Sequence, residues 1–150
     1  MKKTRNIGIS LGILVLVSFL AILFGVPIIN NITAANVKNE LLALPLPDNT
    51  ELIDSVSKAG KLVGNGNGMQ YFGAILIKTE LSEKELATYY QQFAINEWNC
   101  IVERQTTKQI EMIEHNTVSF NMAPDYDQYY IIYSWGESNF FLRDLDLRGH

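Results

Sequence analysis

The chain has 150 residues and a formal net charge of −4, a length that allows one ordinary domain and an extension. Three basic residues lie within the first six positions, so the chain from Asn30 onward has nine Lys or Arg against sixteen Asp or Glu. Such an acidic surface repels phosphate backbones and anionic headgroups, which argues against nucleic-acid partners and against a polybasic membrane patch. A single cysteine, Cys100, excludes an internal disulfide.

The N-terminal extension is apolar. Residues 7–29 contain no charge, and about 20 residues of helix cross a hydrocarbon core about 30 Å thick. A cleaved signal peptide would have an apolar region of about 7–15 residues and a small-x-small site, which "NITAAN" offers only loosely near Ala35. The run therefore predicts a transmembrane helix that stays attached, with cleavage as the alternative.

Charge around this helix predicts its orientation. The basic residues of segment 1–6 precede the helix, whereas the first basic residue after it is Lys38. The positive-inside bias then keeps a short cytoplasmic tail inside and the C-terminal domain outside the cell membrane. Gly8 and Gly12 form a GxxxG pair, which predicts at most a weak helix dimer because glycine is common in spanning helices.

Residues 30–47 read as a juxtamembrane helix and a proline linker. Pro45 and Pro47 cannot continue a helix, so we expect it to end at Leu44. The extracellular domain is then expected to occupy residues 48–150.

A glycine-rich run separates two strand patterns at 51–63 and 69–77. Its glycines, Gly64, Gly66 and Gly68, alternate with asparagines, and Asn-Gly between strands is a hairpin signal. A phosphate-binding loop would instead precede a helix N-terminus and Lys-Ser or Lys-Thr. Since "MQYFGAILIK" follows and reads as a strand, we interpret these glycines as structural.

"LSEKELATYYQQF" is typical of an amphipathic helix. Ser82 and Glu85 make a capping box, and Leu86, Tyr90 and Phe93 share one face. We expect this main helix to pack on the sheet.

The remaining chain alternates apolar and polar residues, which predicts further strands. The alternation places Trp98 and Cys100 in one core, and similar runs occupy 110–112, 118–122 and 128–135. The pattern predicts an α+β fold in which one antiparallel sheet of about five strands packs against one main helix, in the order β-β-α-β-β-β.

The runs "GKLVGNGNGMQYFGAILIK" and "LSEKELATYY" resemble small uncharacterised single-pass membrane-anchored proteins of Gram-positive bacteria over residues 44–105. A looser resemblance is to envelope lipoprotein modules with a Pro-led strand, a helix ending in Tyr-Tyr and a Trp-led strand. Glu97 replaces the glycine usual in those modules, and no lipidated cysteine is present. The resemblance implies an envelope location and carries no catalytic residue.

Polar candidates for chemistry are few. Cys100 and His115 would form a nucleophile and base only if the thiol were exposed and had a low pKa. Asp125 and Asp127 offer oxygen ligands to calcium, yet the glycine and final glutamate of a calcium loop are missing. A buried cysteine, a turn histidine and a solvated acidic turn are the simpler interpretations, so we expect no catalytic residue, metal or cofactor.

Aromatic residues offer the remaining candidate surface. Tyr129, Tyr133 and Trp135 fall on one face of a strand. If that face is wet, it binds a glycan or a protein partner, together with the nearby Asp125 and Asp127; if it is covered, it is core. We expect a non-catalytic interaction module at the outer face of the cell membrane that binds an envelope component or a membrane protein. The alternative is a hydrolase-like envelope enzyme using Cys100 and His115 or the acidic turn.

Overall fold

The computed structural model describes residues 2–64, 68–95, 98–124 and 128–148, without the side chains of 2–8, 94, 95 and 98. The elements are, in chain order, α1 (Lys2–Ala43), β1 (Glu51–Gly60), β2 (Gln70–Lys78), α2 (Glu83–Tyr90), β3 (Ala94–Ile95), β4 (Trp98–Asn99), β5 (Ile101–Arg104), β6 (Tyr129–Gly136) and a 3-10 turn (Arg143–Leu145). The predicted α+β class, with a long apolar N-terminal helix and an antiparallel sheet, is confirmed.

The main sheet has four strands in the order β1-β2-β6-β5, all antiparallel, whereas β3 and β4 form a separate two-stranded ladder. Both faces of the central strands β2 and β6 are buried, which explains why β2 reads as an almost continuous apolar run. We call the face that packs on the helices the helix side, and the face covered by residues 105–124 the loop side.

The expected number of about five strands in this sheet is wrong because residues 105–124 cross the loop side instead of extending the sheet. In this described stretch, pairing is limited to one isolated bridge, Gln109 to Ser119. Ile110, Val118 and Phe120 are nonetheless buried, against a cluster that includes Phe72. The alternating apolar pattern of residues 105–124 therefore reflects their packing on the face of the sheet and not pairing as a strand.

Helix α1 continues without a break from the apolar run into the folded domain. From Val26 onward one residue per turn is buried, at the helical spacing of a core-facing stripe. These residues are Val26, Asn30, Ala34, Val37 and Leu41. Residues 30–43 are thus part of the domain core and not a separate juxtamembrane helix, and they add a second helix to the predicted single one. The helix ends at Ala43, just before Pro45 and Pro47.

Small residues let α1 lie close to the sheet. A Cβ atom added at Gly73 would come within 2.5 Å of the Lys38 nitrogen and 2.8 Å of the Val37 carbonyl carbon. Ser134, the partner of Gly73 on β6, is fully buried beside it. The helix backbone therefore packs directly on the strand backbone, an approach that any larger residue at Gly73 would prevent.

The glycine-rich run joins two paired strands, as a hairpin requires. Gly60 of β1 is opposite Gln70 of β2, so no helix follows the run. Gly64 has a φ of +65°, the left-handed region that glycine adopts without strain. Gly68 is described with ordinary backbone, whereas Gly66 lies outside the described residues.

Helix α2 has the predicted capping box. The Ser82 hydroxyl accepts a hydrogen bond from the Glu85 nitrogen, and the Glu85 carboxylate accepts one from the Ser82 nitrogen at 2.8 Å. Leu86 and Tyr90 are fully buried on the helix side of the sheet. The local signal therefore predicted both the start and the buried face of this helix.

Gly73→Ala should lower the free energy of unfolding by about 2–3 kcal/mol, because the methyl group forces the backbone of α1 away from the sheet. Denaturation in mild detergent, followed by circular dichroism, measures this change. Gly68→Ala is the matched control, since a Cβ there meets nothing closer than 3.9 Å. Equal stability of the two variants would contradict the close packing.

Candidate functional site

The predicted cysteine and histidine pair is not assembled. Cys100 packs half-buried on the helix side, where burial raises the pKa of its thiol to about 11 and keeps it protonated at neutral pH. The His115 backbone nitrogen donates to the carbonyl of Leu62, which belongs to the loop-side cluster, and its Nε2 lies 2.7 Å from the Gly64 carbonyl. The two side chains thus lie on opposite sides of the sheet.

The predicted aromatic face is largely covered. Tyr129 and Tyr133 are only 4% and 6% exposed in the loop-side cluster, and the Tyr133 hydroxyl donates to Glu103 at 2.7 Å. Trp135 is half-buried, with its ring 5.1 Å from that of Phe72. The covering segment is residues 105–124 and not the helix. The two tyrosines therefore fill the core, and Trp135 is the member of the predicted face that stays partly exposed.

Other predicted residues lie outside the described part of the chain. These are Asp125, Asp127 and the side chain of Trp98. Within the described residues, no three His, Cys, Asp or Glu side chains group closely enough to hold a metal ion.

A buried polar network instead joins α1 to the C-terminal segment. Asn30 is fully buried, and its Nδ2 donates both to the Arg143 carbonyl and to the Asp146 carboxylate, each at 3.0 Å. Its Oδ1 accepts a hydrogen bond from the Tyr71 hydroxyl at 2.9 Å. Burial raises the pKa of Tyr71, so the phenol remains a donor. Every polar atom of the Asn30 side chain is thus partnered.

Asp146 and Arg148 complete this network. Asp146 is 1% exposed and accepts hydrogen bonds from Arg148 Nε at 3.0 Å and Nη2 at 2.8 Å. Burial alone would raise the pKa of Asp146, but the hydrogen bonds from Arg148 and Asn30 and the charge of Arg148 outweigh burial and lower it to about 2. Arg148 also donates to the Pro27 carbonyl, so the ion pair binds the C-terminal segment to α1.

A cleft of about 610 Å³ opens beside this network. It lies between α1, β1 and the C-terminal segment, and its polar lining consists of Asn31, Ser57, Lys58, Asn116 and Arg148. The Asn116 Nδ2 is buried and has no hydrogen-bond partner among the residues that the structure describes. A buried donor without a partner is costly, so Asn116 is a polar residue of the cleft wall whose own contacts do not satisfy it.

The lining is rich in donors and cations. Lys58 supplies an ammonium group, and no carboxylate of the described residues forms an ion pair with it. Asp146, the nearest acid of the network, is already bonded to Arg148 and Asn30. A phosphate or carboxylate group matches such a donor set, because charge-assisted hydrogen bonds are the strong ones. A second cleft of about 260 Å³ lies along Tyr71, Trp135 and Arg143.

Sequence reasoning missed the residues of this network and cleft. Asn30 follows an apolar run and reads as its polar end, whereas its spacing from Val26 and Ala34 matches the buried stripe. That spacing was the available signal. Nothing local marks Lys58, Asn116 or Arg148, since their proximity depends on the tertiary fold.

Comparison with known proteins gave no match to a family model, to a curated protein or to a solved structure.

The ion pair predicts a pH-dependent stability. Since the folded pKa of Asp146 lies below its ordinary value of 3.8, the carboxylate stabilises the fold above that value, and this stabilisation is lost as pH falls towards about 2. Asp146→Asn should lower the free energy of unfolding by about 2 kcal/mol at pH 7 and change it little at pH 2. Denaturation at the two pH values measures this difference.

Asp48→Asn removes an exposed carboxylate and is the control for loss of charge. A difference between wild type and Asp146→Asn that is equal at both pH values would contradict a stabilising ion pair.

Proposed function

We propose that the protein is a single-pass membrane protein whose C-terminal domain lies outside the cell and acts as a non-catalytic binding module. The observation that carries this proposal is that α1 is both the apolar helix and a core helix of the domain. Its segment from Ile9 has a mean hydropathy of 2.8 in its most apolar window, and the side chains from Ile9 to Ile22 are exposed. The exposed apolar part of α1 can contact lipid, and the part from Val26 onward packs in the domain.

The same observation opposes removal of the N-terminal segment. Cleavage near Ala35 would take away Val26, Asn30 and Ala34, each almost fully buried in the domain. The remaining domain would lose part of its core and the partner of both Tyr71 and Asp146. The burial of these helix residues in the domain therefore favours an uncleaved anchor over a signal peptide.

The cleft lies close to the membrane in this arrangement. Asn31 of its lining is two residues beyond the apolar run that ends at Ile29, a rise of about 3 Å along the helix. A ligand held by Lys58, Asn116 and Arg148 would thus lie near the headgroup layer. We propose an envelope component that bears phosphate or carboxylate groups as this ligand.

The enzyme alternative is weaker. A hydrolase based on Cys100 needs a thiolate and a neighbouring base. The raised pKa of Cys100 keeps the thiol protonated, and His115 lies on the other side of the sheet from it.

Two further parts of the proposal rest on the sequence. The resemblance of residues 44–105 to membrane-anchored proteins of Gram-positive bacteria supports an envelope setting. A second copy would form a weak helix dimer through Gly8 and Gly12, and a Cβ atom added at Gly12 would meet nothing within 4 Å.

Protease added to intact cells should digest the domain and spare a fragment of α1, because the basic residues of segment 1–6 keep the N-terminus inside. Immunoblots with antibodies to the domain measure this loss. Digestion that requires lysis would contradict the orientation, and a mature chain starting near Asn36 would contradict the anchor.

A photoreactive residue at Ala35, in the cleft wall, should cross-link to an acidic envelope component in living cells. Lys58→Glu should abolish this cross-link, because a carboxylate in the cleft repels an anionic ligand. Mass spectrometry of the adduct, with phosphate and uronic-acid analysis, measures the outcome.

Lys84→Glu makes the same charge change on α2 and should leave the cross-link unchanged. A photoreactive residue at the exposed Thr88 is the position control. A cross-link from Ala35 that survives Lys58→Glu would show that the cleft does not select anionic groups.

A further inference from the structure

The C-terminal strap, residues 138–148, exposes large apolar side chains. Phe141 is 85% exposed, Leu147 68% and Leu145 47%. These three lie within seven residues of one another in the sequence, around the 3-10 turn Arg143–Leu145. Neighbouring exposed apolar side chains, unlike single scattered ones, usually mark a contact surface.

The strap is attached to α1 where the helix leaves the membrane in the proposed arrangement. Asn30 donates to the Arg143 carbonyl, and Arg148 donates to the Pro27 carbonyl at 3.0 Å. Segment 7–29 is about 34 Å long as a helix, whereas the hydrocarbon core is about 30 Å thick. Pro27 and Asn30 therefore lie at the outer boundary of the hydrocarbon core, and the strap lies beside them.

The two carboxylates of the strap have partners within the domain, whereas the side chains of Asp144, Arg143 and Arg148 remain 49%, 42% and 48% exposed. Asp146 is buried against Arg148 and Asn30. Asp144 accepts a hydrogen bond from the Met69 nitrogen at 2.7 Å and pairs with Arg143 at 3.6 Å. Pairing of Asp146 with Arg148 and of Asp144 with Arg143 offsets the negative charge of the strap, so its repulsion of anionic lipid headgroups is small.

We propose that the strap lies in the outer leaflet, with Phe141, Leu145 and Leu147 inserted at the boundary between headgroups and acyl chains. This inference rests on the proposed membrane anchoring by α1. Interfacial segments bury their apolar side chains about 5–10 Å into this boundary. A second membrane contact beside α1 prevents the domain from rotating about the helix, so the cleft keeps a constant orientation to the membrane surface.

The test uses the full chain in vesicles of phosphatidylcholine and phosphatidylglycerol. In a Cys100→Ala background, single cysteines replace Phe141, Leu147, Val17 or Met122 and carry an environment-sensitive fluorophore. Lipids brominated near the headgroup or near the middle of the acyl chain then quench fluorophores at their own depth. Circular dichroism melts verify that each variant is folded.

Val17 and Met122 are the controls. Val17 lies within the apolar run and reports the anchor itself. Met122 is an exposed apolar side chain beside Asn121, whose nitrogen donates to the Asp54 carboxylate near the start of β1. The cleft contacts β1 at Ser57–Ala59, closer to the other end of that strand, so Met122 lies away from the membrane.

Fluorophores at 141 and 147 should be quenched most by lipids brominated near the headgroup. The fluorophore at 17 should be quenched most by lipids brominated near the middle of the acyl chain. The fluorophore at 122 should be quenched by neither lipid. Quenching at 17 without quenching at 141 and 147 would overturn the inserted strap and leave the anchor intact. Absence of quenching at 17 would overturn the anchor and the strap together. An apolar environment at 141 and 147 that brominated lipids do not quench and that increases with the protein-to-lipid ratio would instead show a second copy on the strap. That result would also overturn the proposal.

Discussion

Direct backbone packing of α1 on the sheet at Gly73 is the constraint on which the rest of the structure depends. With no side chain at this position, the helix lies close enough for Val37 and Leu41 to be buried among the apolar residues of β2 and β6. A helix held further away would leave the helix side of the sheet open along Tyr71 and Ile75. The membrane helix and the domain are thus one packed unit and not a domain on a tether.

This unit explains how the polar features are organised. Because α1 enters the core as a continuous helix, Asn30 is carried into a buried position and must be satisfied there. Tyr71 on the sheet and Asp146 on the strap supply its partners. The same contacts align Arg148 with the wall of the cleft, so the candidate ligand site, the strap and the anchor share one small region of the molecule.

The accuracy of the sequence predictions differed with the range of the interactions involved. The capping box at Ser82 and the hairpin after Gly60 depend on neighbours within a few residues, and both are present. The stretch 105–124 has the burial pattern of a strand without its pairing, because burial on a sheet face and burial in a ladder give similar alternation. Tyr129 and Tyr133 share a face as expected, but only the loop that covers them decided that this face is core.

The sequence by itself determined the apolar run of 7–29, the distribution of charge around it and the α+β class, since these follow from composition and local periodicity. Tertiary structure decided that α1 belongs to the domain, that Gly73 permits its approach and that Asn30, Asp146 and Arg148 meet. These contacts join α1 to residues more than thirty positions away in the chain, and no local pattern encodes which distant groups will come together. Chain topology brings Lys58, Asn116 and Arg148 around one cleft, although each reads in the sequence as an ordinary surface residue.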